Sequence, residues 1–215
     1  MKKSKATGPS DTEVIALLKR YKCPVPFHEV RTRFLGGIAS PILGLSPLEM
    51  VKQLWGGEWP EFETLDAPNE LLNVLIGGLW NRLTAHQSRR NPFQLLRFDV
   101  AQTREGLKRL ALVRRQELDG FFEGLFGPEE HIELPERAHV ALGVLTELRA
   151  MFEGIFELLN DTSKLADPDG LKDLMRNIQK LTFVIEAEMN DVNLSCKRAR
   201  VQRVEQLSVA KPTWH

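Results

Sequence analysis

The chain has 215 residues, of which 42% are hydrophobic, and its 29 basic residues balance its 29 acidic residues. This length and apolar content support a folded core and exclude a chain that is disordered throughout. Because the net charge is zero, no overall field favours nucleic acid or a membrane surface. No apolar run approaches the ~20 residues of a membrane-spanning helix, and the only two cysteines lie far apart, so we expect a cytoplasmic protein.

The first two predicted helices follow a polar N-terminal segment. Residues 1–10 have no periodicity and are predicted to be a flexible tail. Asp11 is the predicted N-cap of the first helix, which ends before Pro24. Pro26 suits the first turn of a second helix, in which Gly36–Gly37 indicates close packing against another helix.

Two further helices carry clear start signals. Ser46 can cap the third helix, Glu49 is expected to complete a capping box, and Gly56–Gly57 ends the helix. The fourth helix is predicted to begin at Asp66 or Asn69. Its apolar positions have helical spacing and are predicted to be buried: Leu71, Leu72, Leu75, Leu79 and Leu83.

The second half of the chain contains the longest predicted helices. Asn91–Pro92 is expected to start a short helical turn through Leu96, and a long helix follows from about Val100 to Phe126. The next helix begins near Pro135, and its wide apolar stripe is typical of a central core helix. The stripe is predicted to be buried, and its members are Val140, Val144, Leu145, Leu148, Met151, Phe152, Ile155, Phe156 and Leu159.

The last helix is predicted to start at Asp167–Pro168 and to reach about Leu207. No segment alternates as a strand would, so the predicted fold class is all-α, a multi-helix orthogonal or bundle domain with a long C-terminal helix. We assign residues 11–165 to the helical core domain and residues 166–215 to the long helix and its tail. The far end of such a helix is expected to project, to dock a partner or to form a homodimer.

Residues 34–126 contain a series of short motifs in a characteristic order. They are Phe34–Ile38, Leu45–Pro47 opening a helix that ends at Trp55–Gly57, Pro60–Glu63, Leu79 with Asn81, Asn91–Phe93, and Gly120–Gly124. This series resembles the YecA/YgfB-like family of small, helical bacterial proteins. The resemblance implies an all-helical fold and a regulatory or binding role, and it brings no catalytic residues. The cysteine-rich C-terminal zinc motif of some relatives is missing here, and the segment between Phe98 and Leu118 is longer.

The strongest candidate for a metal site is the acidic and histidine cluster around the start of the sixth predicted helix. Glu136 and His139 are three residues apart, the Glu-x-x-His spacing that helical di-iron proteins use twice. His131 and Glu133 lie just before them. The motif occurs once here, and acidic residues at a helix N-terminus are also expected because they complement its dipole. We therefore expect no cofactor and treat these four residues as the metal alternative.

The charges are unevenly distributed along the chain. Between Arg82 and Arg115 nine basic residues meet only two acidic ones, whereas between Glu117 and Asp161 eleven acidic residues meet only Arg137 and Arg149. The two stretches either neutralise each other across the folded surface or leave a basic surface for an acidic partner or nucleic acid. The candidate partner-binding residues are Arg89, Arg90, Arg114, Arg115, Lys197, Arg198, Arg200 and Arg203.

These observations favour a non-enzymatic helical interaction or regulatory protein that binds a protein partner. The alternatives are a nucleic-acid or transcription-linked binder that uses the arginine-rich stretch 82–115, and a carboxylate–histidine metal enzyme. The sequence contains no phosphate-binding glycine loop with lysine, no serine elbow and no His-Glu-x-x-His motif.

Overall fold

The computed structural model describes residues 8–42, 45–129, 132–163 and 167–209, with side chains as far as residue 206. Within these ranges the chain forms seven helices and no strand, which confirms the predicted all-α class and the long C-terminal helix. The helices are α1 (Asp11–Arg20), α2 (Phe27–Ala39), α3 (Pro47–Gln53), α4 (Ala67–Leu72, π-helical Asn73–Trp80 and Asn81–Thr84), α5 (Arg104–Phe126), α6 (Glu136–Asn160) and α7 (Pro168–Val209).

The helix starts differ in detail from the sequence prediction. The capping box lies at α1, where the Ser10 hydroxyl accepts a hydrogen bond from the Glu13 amide and the Glu13 carboxylate accepts one from the Ser10 amide. The predicted cap Asp11 is wrong by one residue, since its carboxylate instead pairs with Arg82. Ser46 caps α3 as predicted, but no capping box with Glu49 forms there.

Helix α2 is the most enclosed helix, because every residue from Thr32 to Ala39 is buried. It crosses α5 at glycines, as the Gly36–Gly37 pair predicted. A Cβ atom at Gly36 would collide with the Phe121 carbonyl oxygen, and one at Gly124 would collide with the Arg33 carbonyl oxygen. Only glycine permits backbones to approach this closely.

One hydrophobic core includes residues from all seven helices. Ile178, Ile185, Met189 and Cys196 of α7 lie in the same buried cluster as Phe34 of α2. The first two-thirds of α7 therefore pack as part of the core. Asp167 caps this helix as expected, since its carboxylate accepts a hydrogen bond from the Gly170 amide at 3.1 Å.

Residues 85–103, here called the connector, join α4 to α5. The predicted helical turn from Asn91 to Leu96 is wrong, because the structure has non-helical backbone there. Phe93 and Leu95 of the connector are buried in the core. Several of its backbone groups, which a helix would have satisfied internally, bind side chains of α7 instead.

No helix in the described part of the chain combines the length and the apolar character needed to cross a membrane.

The close approach of α2 and α5 predicts a large difference between two glycine substitutions. We expect Gly124→Ala to lower the free energy of unfolding by about 3 kcal/mol or more, because the new methyl group meets the backbone of α2. Gly143→Ala is the control: this glycine is also helical, but a Cβ there has no neighbour within 4 Å. We expect a gain of about 0.5–1 kcal/mol from helix propensity. Urea unfolding measures both, and equal effects would contradict the glycine-mediated crossing.

Candidate interaction surfaces of the last two helices

The polar residues in the second half of α7 bind the connector. Asn190 holds both backbone groups of Phe93: its Oδ1 accepts from the Phe93 amide at 2.8 Å and its Nδ2 donates to the Phe93 carbonyl at 2.9 Å. One turn earlier, the Glu186 carboxylate accepts a hydrogen bond from the Leu95 amide at 2.8 Å. These bonds satisfy three backbone groups of an irregular segment where its side chains enter the core.

The same face of α7 continues with two more contacts. Asn193 donates to the His86 carbonyl at 3.1 Å, and the Lys197 ammonium donates to the Gln87 carbonyl at 2.8 Å. The spacings of four, three and four residues from Glu186 to Lys197 place all four side chains on one side of the helix. Much of the polar character beyond Met189 therefore serves intramolecular binding.

Arg114, a predicted partner-binding residue, is buried. Its guanidinium donates to the Thr182 hydroxyl at 3.1 Å and to the Leu96 carbonyl at 2.8 Å, and it pairs with the Glu117 carboxylate. Only 3% of Arg114 is exposed, so its assignment to a partner-binding surface is wrong. Burial raises the pKa of Glu117 to about 7, because the neighbouring Arg114 offsets the loss of hydration only in part.

The oppositely charged stretches partly neutralise each other between α5 and α6. Arg115 of α5 pairs with Glu153 of α6, and Arg149 of α6 pairs with Asp119 of α5. Arg97, also in the arginine-rich stretch, pairs with Glu186 of α7. The guanidinium groups of this stretch therefore do not form one continuous basic face.

A smaller basic surface remains where the connector meets the last part of α7. The bond from Lys197 to the Gln87 carbonyl joins this part of the helix to the connector two residues before the exposed Arg89 and Arg90. We call this surface, which comprises Arg89, Arg90, Lys197, Arg198 and Arg200, the basic end. None of the five has a carboxylate within ion-pair distance among the residues with described side chains. Burial lowers the pKa of Arg200. The remaining predicted residue, Arg203, differs from them because it pairs with Glu133 at 2.7 Å.

An apolar surface runs along the outside of α6. Val140, Met151 and Leu158 are each about half exposed, and Val144 is partly exposed. The spacings between the first three correspond to about three and two helical turns, so they lie on one side of the helix. We call these four residues the ridge. Its position corrects the prediction of a central core helix, because Val140 and Met151 were expected to be buried.

The ridge borders the face by which α6 enters the core, since each ridge residue is followed in sequence by a buried one, about 100° around the helix. Leu145, Leu148 and Phe152 occupy that buried face. An apolar stripe that is wider than the buried face leaves apolar side chains exposed at its edge, and such a surface is a candidate for a further contact. The wide apolar stripe in the sequence was the pattern from which the ridge could have been predicted. The prediction that every residue of the stripe is buried was wrong.

Three acidic residues flank the ridge. Glu136, Glu147 and Glu157 are exposed and form no ion pair with any described side chain. The two arginines of α6 are already occupied, Arg137 by Asp191 of α7 and Arg149 by Asp119. The ridge is therefore an apolar surface with an acidic border.

Ion pairs place the start of α6 beside the last part of α7. Arg137 pairs with Asp191, and Glu133 pairs with Arg203 farther along α7. The two helices consequently run antiparallel. Val144 lies seven residues, about two turns, after Arg137, and the exposed Val184 lies seven residues before Asp191. Because the helices are antiparallel, Val184 extends the apolar surface of the ridge onto α7.

The proposed metal ligands do not come together in the described structure. Glu136 and His139 are exposed in the first turn of α6, and Glu133 is bound to Arg203. His131 lies outside the described residues. Among those that are described, no three histidine, cysteine or acidic side chains are grouped so that they could hold a metal ion.

Comparison with protein-family models, with curated proteins and with solved structures finds no match to this chain. The resemblance to the YecA/YgfB-like family therefore stays a prediction.

The contact between Asn190 and Phe93 can be tested by substitution. We expect Asn190→Ala to lower the free energy of unfolding by about 2 kcal/mol, because it leaves the buried amide and carbonyl of Phe93 unpaired. Hydrogen exchange of the Phe93 amide should accelerate more than that of amides within α2. Asn177→Ala, an exposed position on the same helix, should not lower the free energy of unfolding and should not accelerate exchange at Phe93, because its only expected effect is a small gain from helix propensity. Unchanged exchange at Phe93 would exclude the proposed role of Asn190.

The buried Glu117 carboxyl predicts a pH dependence of stability. The folded protein retains this proton up to about pH 7, whereas the unfolded chain releases it near the ordinary pKa of 4.5. The contribution of the protonated carboxyl to the free energy of unfolding is therefore present below pH 4.5 and is lost as the pH rises to about 7.

Glu117→Gln removes this titration. The difference in unfolding free energy, wild type minus variant, should decrease by at most about 3 kcal/mol between about pH 4.5 and pH 8. Urea unfolding at several pH values measures it. A difference that is constant with pH would show that Glu117 does not retain its proton.

Proposed function

We propose that this protein is a non-enzymatic interaction protein that binds a helix of a protein partner on the ridge of α6. The observation that supports this proposal is the row of exposed apolar side chains, Val140, Met151 and Leu158, along one side of a core helix. Contiguous exposed apolar surface on a folded protein commonly marks an interaction site.

The shape of the ridge favours a helical partner. From Val140 to Leu158 it extends about 27 Å along a helix axis, the length of five helical turns. Gly143, Ala150 and Gly154 lie beside it and are exposed, and a Cβ at either glycine would have no neighbour within 4 Å. Small residues beside an apolar row allow a second helix to approach closely, with its own apolar residues as anchors.

The charge of the ridge restricts the chemistry of the partner. Glu136, Glu147 and Glu157 have no bound cation in the described structure. A partner helix with lysine or arginine beside its apolar face would satisfy them, whereas an acidic helix would be repelled. We therefore propose a basic amphipathic helix as the bound element.

Nucleic-acid binding at the basic end is the alternative function. The observation that favours it is the grouping of Arg89, Arg90, Lys197, Arg198 and Arg200 without carboxylate partners in the described structure. A mobility-shift assay tests this alternative, because release of counterions requires the affinity to fall steeply with salt. Arg89→Ala with Arg90→Ala should weaken such binding and reduce its salt dependence, whereas Lys172→Ala with Lys180→Ala should not.

The ridge can be tested in cells by a photo-crosslinking amino acid at position 151. We expect a crosslink to one defined polypeptide, because a bound helix would cover Met151. Position 15 is the control, since Ile15 of α1 is exposed to a similar extent, 47% against 49% for Met151.

Equal labelling at positions 15 and 151, or no labelling at either, would contradict a specific protein partner on the ridge. Loss of the crosslink in a Glu147→Lys, Glu157→Lys variant would identify the acidic border as part of the binding surface.

A further inference from the structure

We infer that the helix bound on the ridge is the end of α7 from a second copy of this chain. This inference rests on the proposed function of the ridge and names its partner. It assigns two surfaces to one interface: the acidic, apolar ridge of one copy and the basic end of the other.

The end of α7 has the character of the required partner. Cys196 is the last fully buried core residue, yet the helix continues to Val209, about 20 Å farther. Val201 and Val204 in this extension are about half exposed and lie three residues apart. A helical extension beyond the core, with exposed apolar residues, is expected to be stabilised by a further contact.

The charges of the two surfaces are complementary. Arg198 and Arg200 accompany the valines of α7, whereas Glu147 and Glu157 accompany the ridge. Contact between two ridges would place acidic residues of one copy against acidic residues of the other. Contact between two helix ends would likewise place arginines against arginines. Only ridge against helix end pairs opposite charges.

The two surfaces are also adjacent within one copy. The ion pairs Arg137–Asp191 and Glu133–Arg203 hold the start of α6 beside the last part of α7. A two-fold axis can therefore bring each helix end onto the ridge of the other copy at the same time. Such a reciprocal contact closes a dimer and leaves neither surface open for a chain of further copies.

Sedimentation equilibrium and light scattering on the full chain test the inference. We expect a concentration-dependent species of twice the 24.5 kDa chain mass. The ridge variant Glu147→Lys, Glu157→Lys and the helix-end variant Arg198→Glu, Arg200→Glu should each raise the dimer dissociation constant at least about tenfold.

Mixing the two variants is the decisive measurement. The basic ridge of one variant then meets the acidic helix end of the other, and the unaltered acidic ridge meets the unaltered basic end. The mixture should form a heterodimer at concentrations at which each variant alone is largely monomeric. Lys172→Glu with Lys180→Glu reverses two exposed charges in the first half of α7 and should remain dimeric.

Circular dichroism separates loss of dimer from loss of fold, and restoration of the dimer on mixing does so independently. A wild-type chain that stays at 24.5 kDa over the concentration range overturns the inference. The inference is also overturned if the variants dimerise as the wild type does, or if their mixture stays monomeric. If the chain is monomeric and position 151 still crosslinks to another protein, the ridge function survives and only the second copy is excluded.

Discussion

The close approach of α2 and α5 is the constraint on which the rest of the fold depends. Gly36 and Gly124 remove the side chains that would separate these helices, so the backbone of each lies against the other. Because α2 is enclosed in this way, the remaining helices can pack around it. The motifs that carry the family resemblance at residues 34–38 and 120–124 meet at this crossing, so their residue types are explained by packing and do not identify a function.

A second constraint is the binding of the connector by α7. Buried backbone groups need hydrogen-bond partners, and the connector has no regular structure of its own to provide them. Glu186 and Asn190 supply them from a helix about 90 residues away in sequence. Polar residues of α7 that could have marked a partner surface therefore stabilise the fold. The exposed valines beyond Cys196 have no such internal role and remain available for a contact.

Many charges in this protein form pairs within the fold, and two exposed surfaces carry charges of opposite sign. Arg114 and Arg115 are held by Glu117 and Glu153, so the arginine-rich stretch does not act as a unit. The acidic border of the ridge and the basic end are among the charges without an ion-pair partner in the described structure. A zero net charge conceals this separation, and it is the separation that permits a self-complementary interface.

The sequence by itself determined the fold class and most helices, because helical periodicity and caps such as Ser46 and Asp167 act within a few residues. It could not determine the backbone of residues 91–96, whose partners lie on α7 and are found only after folding. It also could not show which part of the wide apolar stripe of α6 faces the core, since Val140 and Leu145 look equivalent in a local pattern. Only the tertiary structure decided that Arg114 is buried, that Lys197 binds the Gln87 carbonyl, and that the ridge is exposed, because each depends on contacts between residues distant in sequence.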